Sequence, residues 1–519
     1  LAKTKTLLFI INKNGFCSNL IKKLSFFKLK YLFLKDGAEN SPLALYFPHL
    51  YINFLMKRLK NSGNKIHFVS LGCSRNLVDT EVMLGILLRA GYEATDQAER
   101  ADFLVVNTCA FLASARQESC DTISSIFAEK KKGAKVIVAG CMVQKHKEEL
   151  KAKFPEIHYF IGSGDMERIL EAAQALEPGE AVTSARSYLE WGEVPRQLST
   201  PKQFAYLKIA EGCAKQCAFC IIPKIKGPLR SKPEPQVLKE FDALLSQGVH
   251  EIILIAQDLG DYGKERKEVG GLENLVREML KRKGDFWIRF LYLYPDEITE
   301  ELLDLMASDS RICAYLDMPL QHINDQMLKA MRRKTSRAQI VQTIETLRKK
   351  LPNAIIRTSL MVGFPGETEE QFEELLQFVE EHPLDNIGIF KYSREEESPS
   401  AKMAGHLPEE IKQNRFERLV AAQMQVVRKR NRSYIGKKLQ VIVEGYHPDS
   451  PYLMRGRFYG QCPEIDGQVI INDGRLVDAF GKMYEVEITD VADYDLIGKV
   501  VGAPKKTPLP KQRSKLTLA

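Results

Sequence analysis

The chain has 519 residues and 10 cysteines, with 75 Lys+Arg against 67 Asp+Glu for a formal net charge of +8. Hydrophobic residues make up 44% and charged residues 27%, an ordinary globular balance that excludes a disulfide-stapled miniprotein, a collagen-like repeat and a mostly disordered chain. No apolar run reaches the ~18–20 residues of a membrane-spanning helix, and the length suggests about three domains of ~150 residues each.

The basic excess is local. Residues 1–62 carry 11 Lys+Arg and only two acids, Asp36 and Glu39, a net of +9, which leaves 64 bases and 65 acids, a net of −1, in residues 63–519. The stretch 1–62 has no arginine before Arg58 and eight aromatics in its first 50 residues. Transit peptides are Arg- and Ser-rich, and the apolar Leu7–Ile11 run lacks a small-residue cleavage site after it. The expectation is a doubtful N-terminal extension, an upstream region ahead of a start at Met56, and it is set aside from functional reasoning. The charge of the chain therefore does not point to nucleic acid.

From Asn64 three strand-like runs each lead to a cysteine. Lys65–Leu71 precedes Gly72-Cys73, Asp102–Val106 precedes Asn107-Thr108-Cys109, and Lys135–Ala139 precedes Gly140-Cys141. Helical patterns follow at Thr80–Ala90, Ser114–Lys130 and Gln144–Lys153, so the unit reads as βα repeats on a parallel sheet. Ligands of such sheets bind outside the carboxyl ends of the strands. Three cysteines at three such ends are expected to converge, although each alone would pass as a common buried residue, the reading kept for Cys17 and Cys120. A three-thiolate site with an open position suits an iron–sulfur cluster or a catalytic zinc. Asp165, after Ile161-Gly162-Ser163-Gly164, is expected to cap a helix over Met166–Ala175, in preference to a phosphate site. This N-terminal domain spans 63–195, and Pro195–Lys202 reads as a linker.

The strand Tyr206–Ala210 then leads to Cys213, Cys217 and Cys220 in the spacing CxxxCxxC. No fourth zinc ligand follows at comparable spacing, and a disulfide would leave one thiol over. Three cysteines on a four-iron cluster leave one iron for a small molecule. This loop, with the aromatic Phe219 before its last cysteine, resembles the radical S-adenosylmethionine (SAM) superfamily. Five further strand-like runs follow, at His250–Asp258, Phe286–Tyr294, Tyr315–Leu320, Ala354–Phe364 and Asp385–Ser393. Helical patterns separate them, at Glu234–Gln247, Leu272–Lys283, Ile298–Ala307, Asp325–Met331 with Arg337–Lys350, and Glu369–Glu381. Six βα units resemble the partial (βα)6 radical SAM barrel, here 203–433. Gln257, Asp258, Gln321 and His322, at strand ends, are expected to face its active site. Gly363-Phe364-Pro365-Gly366-Glu367-Thr368 reads either as a close backbone approach to a ligand or as a plain strand–turn–helix connection.

Leu407–Arg432 reads as a charged helix of net +4. Residues 434–503, rich in β-branched and aromatic residues with turns at Pro448-Asp449, Asp466-Gly467 and Asp473-Gly474, suggest a small β-barrel. Residues 504–519 form a basic tail expected to be disordered.

The order of these parts resembles the methylthiotransferase family of radical SAM enzymes over about Lys65–Gly502. The resemblance implies an α/β multidomain protein: an N-terminal parallel α/β sheet domain, a central partial (βα)6 barrel and a small C-terminal antiparallel β-barrel, the TRAM domain. It implies two [4Fe-4S] clusters, an auxiliary one on Cys73, Cys109 and Cys141 and a SAM-binding one on Cys213, Cys217 and Cys220, with Phe219 beside the cofactor. It further implies that SAM serves as methyl donor to sulfur and as source of a deoxyadenosyl radical, so that both clusters must face one cavity. Ser70-Leu71-Gly72-Cys73, Asn107-Thr108-Cys109-Ala110-Phe111, Ile255-Ala256-Gln257-Asp258, Trp287–Tyr292 and Tyr315–His322 are similar to the branch that modifies an aspartate β-carbon in the twelfth small-subunit ribosomal protein. Its departures, Ser74-Arg75 where Pro-Lys is frequent and Ala110 where Gly is usual, fall on no expected ligand. Residues 434–502 hold seven bases and 11 acids, a net of −4, which suits a basic protein partner better than RNA. The expected partners are thus that ribosomal protein and an electron donor such as ferredoxin or flavodoxin, in the cytoplasm, with no membrane and no direct tRNA substrate. The alternatives are a tRNA adenosine methylthiotransferase and, in another class, a non-catalytic iron–sulfur electron carrier.

Overall fold

The computed structural model describes residues 63–183, 189 and 195–502. The extension 1–62 and the tail 504–519 lie outside the described residues. The described parts of 64–89 and 93–502 belong to one compact unit. No helix among the described residues is long and apolar enough to cross a membrane.

The first sheet has six parallel strands: β1 (Lys65–Ser70), β2 (Glu93–Ala94), β3 (Phe103–Thr108), β4 (Lys135–Gly140), β5 (Tyr159–Gly162) and β6 (Gly179–Ala181), in the order β2-β1-β3-β4-β5-β6. Helices α1 (Ser74–Arg89), α2 (Ala113–Glu129), α3 (Cys141–Lys153) and α4 (Ile169–Gln174) connect them. The apolar run of β3 is buried along its whole length, as parallel strands covered on both faces require. The sequence predicts three of these six strands. The other three are two to four residues long, too short to show a period. Helix α1 starts at Ser74 rather than Thr80 because it buries Asn76, Asp79, Thr80 and Glu81, polar residues that interrupt the apolar pattern.

The second sheet carries β7 (Phe204–Lys208), followed by a short antiparallel pair, β8 (Ala210–Glu211) with β9 (Arg230–Ser231). Five parallel strands complete it: β10 (Glu251–Ile255), β11 (Trp287–Phe290), β12 (Ile312–Asp317), β13 (Ile355–Val362) and β14 (Asn386–Lys391). The order β14-β13-β12-β11-β10-β7 leaves β7 and β14 unpaired with each other, an open six-unit barrel. Its helices are α5 (Ile222–Lys226), α6 (Glu234–Ser246), α7 (Gly271–Leu280), α8 (Glu300–Ser308), α9 (Asp325–Ala330), α10 (Arg337–Lys350) and α11 (Glu369–Glu381), with α12 (Glu409–Arg432) after it. One core lies between strands and helices. A second, on the inner face, includes Tyr206, Ile253, Trp287 and Tyr315, and is filled by Val78 of α1 and by Ile442 and Cys462 from beyond α12.

The C-terminal module is a closed five-stranded barrel, β15 (Lys438–His447), β16 (Ser450–Phe458), β17 (Val469–Asp473), β18 (Lys482–Ala492) and β19 (Asp495–Gly502), in the order β15-β16-β17-β19-β18. Its pairs are antiparallel except β17 with β19. Arg457 of β16 reaches into the central barrel, where its Nη2 lies 2.8 Å from Glu251 Oε2, and Arg289 Nε takes the other oxygen at 2.5 Å. The stretch predicted as a linker is pinned to α1. Ser199 N donates to Glu81 Oε1 at 2.7 Å and Arg196 pairs with Glu81 and Glu240, both at 2.6 Å.

Candidate functional site

Cys73, Cys109 and Cys141 follow β1, β3 and β4, which are neighbours in the sheet. The register pairs Ser70 with Asn107 and Thr108 with Gly140, so the three strand ends are level and the cysteines emerge side by side. Gly72, at φ +91°, allows the close approach: a Cβ there would lie 2.9 Å from Cys109 Cβ. Asn76 binds the three loops together. Its Nδ2 donates to Leu71 O and to Thr108 O, both at 3.0 Å, and its Oδ1 lies 3.6 Å from Cys141 Sγ. Asn107 in turn donates to Asn76 O at 2.8 Å and to Thr80 Oγ1 at 3.0 Å. The sequence reading missed Asn76 and Asn107. The available signal was polar residues at helical spacing, Asn76, Asp79 and Thr80, on the face of α1 that turns inward.

Burial pushes the Cys141 thiol up to about 12 and raises Cys109. Burial also opposes ionisation of Cys73, but the Arg75 guanidinium and the amides of Asn76 and Arg75 outweigh it, and that thiol lies below its ordinary range. Backbone N–H groups address the other trio as well: Lys215 N donates to Cys213 Sγ and Ile222 N to Cys220 Sγ, each at 3.4 Å.

The loop bearing Cys213, Cys217 and Cys220 is closed at its base by the β8–β9 pair and by Cys213 N donating to Gly227 O at 3.2 Å. Burial pushes Cys213 up to about 11 and Cys220 up to about 12. Cys217 Sγ lies 3.6 Å from Tyr294 Oη and 3.7 Å from Arg333 Nη1, whose guanidinium stacks on the Tyr294 ring at 3.9 Å. Lys215 clasps the loop to the barrel through Glu297 at 2.6 Å, Asp261 at 3.2 Å and Asp258 at 3.3 Å. A cavity of about 350 Å³ opens beside Cys217, between Lys215, Tyr294 and Arg332–Thr335.

The structure brings the two trios to one seam. Helix α3 begins at Cys141, α5 begins two residues after Cys220, and these helices pack on each other. Helix α1, one residue after Cys73, packs on β7, the strand that leads to Cys213. The seam is fixed by a buried ionic network: Asp79 pairs with Lys208 and, at 3.3 Å, with Lys226, which meets Glu211 at 2.8 Å. Arg75, one of the two residues that depart from the family's usual Pro-Lys after Cys73, stands in the seam. Its Nη1 donates to Ala256 O at 2.7 Å, at the end of β10.

Phe219 is half-buried against Met327, Met331, Phe364 and Tyr392. The predicted strand-end polar residues divide. Gln257 Oε1 is buried without a hydrogen-bond partner, an acceptor left open among the described residues. Asp258 turns to Lys215, and burial with its neighbour Asp261 pushes its carboxyl up to about 7. Gln321, at φ +73°, is bridged to Leu360 of β13. His322 is fully buried; its Nδ1 accepts from Asn324 N at 3.0 Å and its Nε2 lies 3.9 Å from Glu367 Oε1. Asp165 caps no helix, because its carboxylate takes Thr183 N at 2.8 Å and Thr183 Oγ1 at 2.6 Å. The Gly363–Thr368 turn is a strand–turn–helix connection. Glu367 accepts from Phe364 N at 3.1 Å and from Gly363 N, and Thr368 caps α11 in a capping box.

Three family models match the chain: Uncharacterized protein family UPF0004 over residues 65–162, the Radical SAM superfamily over 207–379 and the TRAM domain over 435–501. The chain is 61% identical over 443 residues to the ribosomal protein uS12 methylthiotransferase RimO of Protochlamydia amoebophila, a match covering 85% of this chain and 93% of the relative. The protein of the same description from Chlamydia abortus is 57% identical over 442 residues, 85% of this chain and 96% of its own. That from Bdellovibrio bacteriovorus is 44% identical over 457 residues, 86% and 99%.

Proposed function

This chain belongs to the RimO family of ribosomal protein uS12 methylthiotransferases, and from that premise we propose that it uses two [4Fe-4S] clusters and SAM to add a methylthio group to an aspartate β-carbon of uS12. Cys213, Cys217 and Cys220 would hold the cluster that binds SAM, with Phe219 beside it, and Cys73, Cys109 and Cys141 the auxiliary cluster. The donor sets fit. Each is three thiols, addressed by backbone N–H groups that favour the thiolate form a metal requires. When bound, these groups supply one-electron cleavage of SAM and the sulfur that is methylated and transferred.

The chain's own residues do the positioning. Asn76 holds the first three cysteine loops in register, Lys215 clasps the second trio to the barrel, and Gln257 Oε1 offers a ligand N–H an acceptor. The observation that carries the reading is the shared seam: α3 and α5, each adjoining a cysteine, pack together, so the two trios are carried by elements in mutual contact.

The loop leaves a testable mark. Gly212 sits at φ +78°, and a Cβ there would lie 1.9 Å from Pro228 O, so Gly212→Ala must displace the backbone that carries Cys213. Reconstituted and desalted Gly212→Ala is expected to retain less than about half of the iron bound at this loop. Iron content equal to that of the unaltered chain would remove this role of Gly212.

The C-terminal barrel supports a protein substrate over tRNA. Five of its seven bases are already paired: Lys438 with Glu485, Arg457 with Glu251 and Glu444, Arg475 with Asp473, Lys482 with Asp478, and Lys499 with Glu487. With 11 acids against seven bases, the module has no cationic excess to neutralise phosphates. An electron donor such as ferredoxin or flavodoxin and a cytoplasmic setting complete the proposal. Offered both uS12 and bulk tRNA with SAM and a reductant, the reconstituted enzyme is expected to add the methylthio mass to uS12 alone. Addition to tRNA would overturn the reading.

A further inference from the structure

We propose that Arg75 is the residue that recognises the side-chain carboxylate of the aspartate to be modified; the inference rests on the substrate reading above. Arg75 lies in the first turn of α1, two residues after Cys73, and crosses the seam to the barrel. Its Nη1 donates to Ala256 O at 2.7 Å and its guanidinium lies 4.9 Å from the centroid of the Tyr292 ring. Tyr292 is itself fixed in a left-handed conformation, φ +66°, with its N–H donated to Asp317 Oδ2 at 3.2 Å and its carbonyl taken by Leu259 N at 2.9 Å. A bulky residue held there marks a strand end whose shape is set by more than local preference. Its place two residues after Cys73 and against the end of β10 sets it where the N-terminal sheet domain meets the barrel.

Among the described residues Arg75 has no counter-charge, a condition it shares with Arg333, whose guanidinium is engaged by Cys217 Sγ, Pro319 O and the Tyr294 ring. Lys208 and Lys226 share Asp79 and Glu211, Lys215 has three carboxylates, Arg357 has Asp317, and Arg116 has Glu395. Among the described residues Arg75 has a backbone partner, Ala256 O, and no carboxylate pairs with it. A guanidinium carries five N–H donors, and the partners named here do not exhaust them. An aspartate side chain entering between two sets of thiolate sulfurs is repelled by them, and a half-buried guanidinium offsets that repulsion with a fork suited to a carboxylate. Because the β-carbon is bonded directly to the carboxyl carbon, a carboxylate gripped at Arg75 also places the reacting C–H bonds at the seam.

The test uses the reconstituted full chain and a uS12-derived peptide, with aspartate or asparagine at the modified position. Binding to the unaltered enzyme is expected to be about 10- to 100-fold weaker for the asparagine peptide, the range of a lost charge-assisted hydrogen bond. Arg75→Gln is expected to bind both peptides alike, and Arg75→Lys to discriminate less than the unaltered enzyme but more than Arg75→Gln. Iron content and visible absorption, measured on each variant, show whether both clusters are retained. Equal binding of the two peptides by the unaltered enzyme would overturn the proposal, as would undiminished discrimination in Arg75→Lys or Arg75→Gln. Transfer to intact uS12 is measured alongside: its absence would bring down the substrate reading, whereas transfer without discrimination removes only the role of Arg75.

Discussion

Replacing Cys73, Cys109 and Cys141 together with alanine is expected to abolish methylthio transfer while leaving reductive cleavage of SAM to 5′-deoxyadenosine in place. The two trios are carried by separate backbone. The first stands at the ends of β1, β3 and β4; the second sits in a loop closed by the β8–β9 pair and clasped through Lys215. Of the first trio only Cys141 contributes to an apolar core, and there the loss of one sulfur atom is small beside the whole cluster of packed residues. The seam is held by other groups, Asp79, Lys208, Lys226 and Glu211 among them, which the substitutions do not touch. Iron per chain should therefore fall from about eight to about four, with cleavage of SAM retained. Loss of cleavage along with transfer would mean that the trios do not hold independent centres, and the assignment of two clusters would fall.

Glu251→Gln is expected to cost about 3–5 kcal/mol of stability. Glu251 and Arg289 are fully buried, and Arg457 is nearly so. The carboxylate divides its two oxygens between guanidiniums from different modules, Arg289 of β11 and Arg457 of the C-terminal barrel, and Arg457 also meets Glu444 at 2.7 Å. Glutamine keeps the volume but leaves the buried Arg289 without a matching charge and Arg457 with Glu444 alone. Burial by itself would raise the Glu251 carboxyl, but Arg289 and Arg457 outweigh it and hold it below the usual range. A carboxyl whose folded pKa is depressed contributes stability above its unfolded value, about 4.3, and loses it as pH falls through the folded one. Urea unfolding should therefore show the full deficit of Glu251→Gln near neutrality and a smaller one well below pH 4. A variant within about 0.5 kcal/mol of the unaltered chain at neutral pH would sink this account.

The helices and strands were legible to within a few residues wherever the apolar pattern was long. The barrel helices at Arg337–Lys350 and Glu369–Glu381 have the predicted bounds. The pattern failed where burial is polar, as at the start of α1, and where strands are too short to alternate, as at β2, β5 and β6. The Pro195–Lys202 stretch looked like a free linker because proline and polar residues carry no period. It is held instead by Glu81, more than a hundred positions earlier.

The sequence by itself determined the six cysteines and the strands they follow, since both are matters of local order along the chain. A run of β-branched residues followed by a cysteine reads the same wherever the strand goes. It also carried the acidic balance of the C-terminal module, which is simple counting. Only the tertiary structure decided what the cysteines share. Asn76 joins the three loops across up to 65 positions, Arg75 reaches Ala256 across 181, and Glu251 meets Arg457 across 206. These contacts depend on how sheet, barrel and C-terminal module pack, and a side chain's partner at such separations leaves no periodic trace in the chain. Spacing identifies a thiol that could bind a metal; packing decides which charges surround it and which substrate group they leave room for.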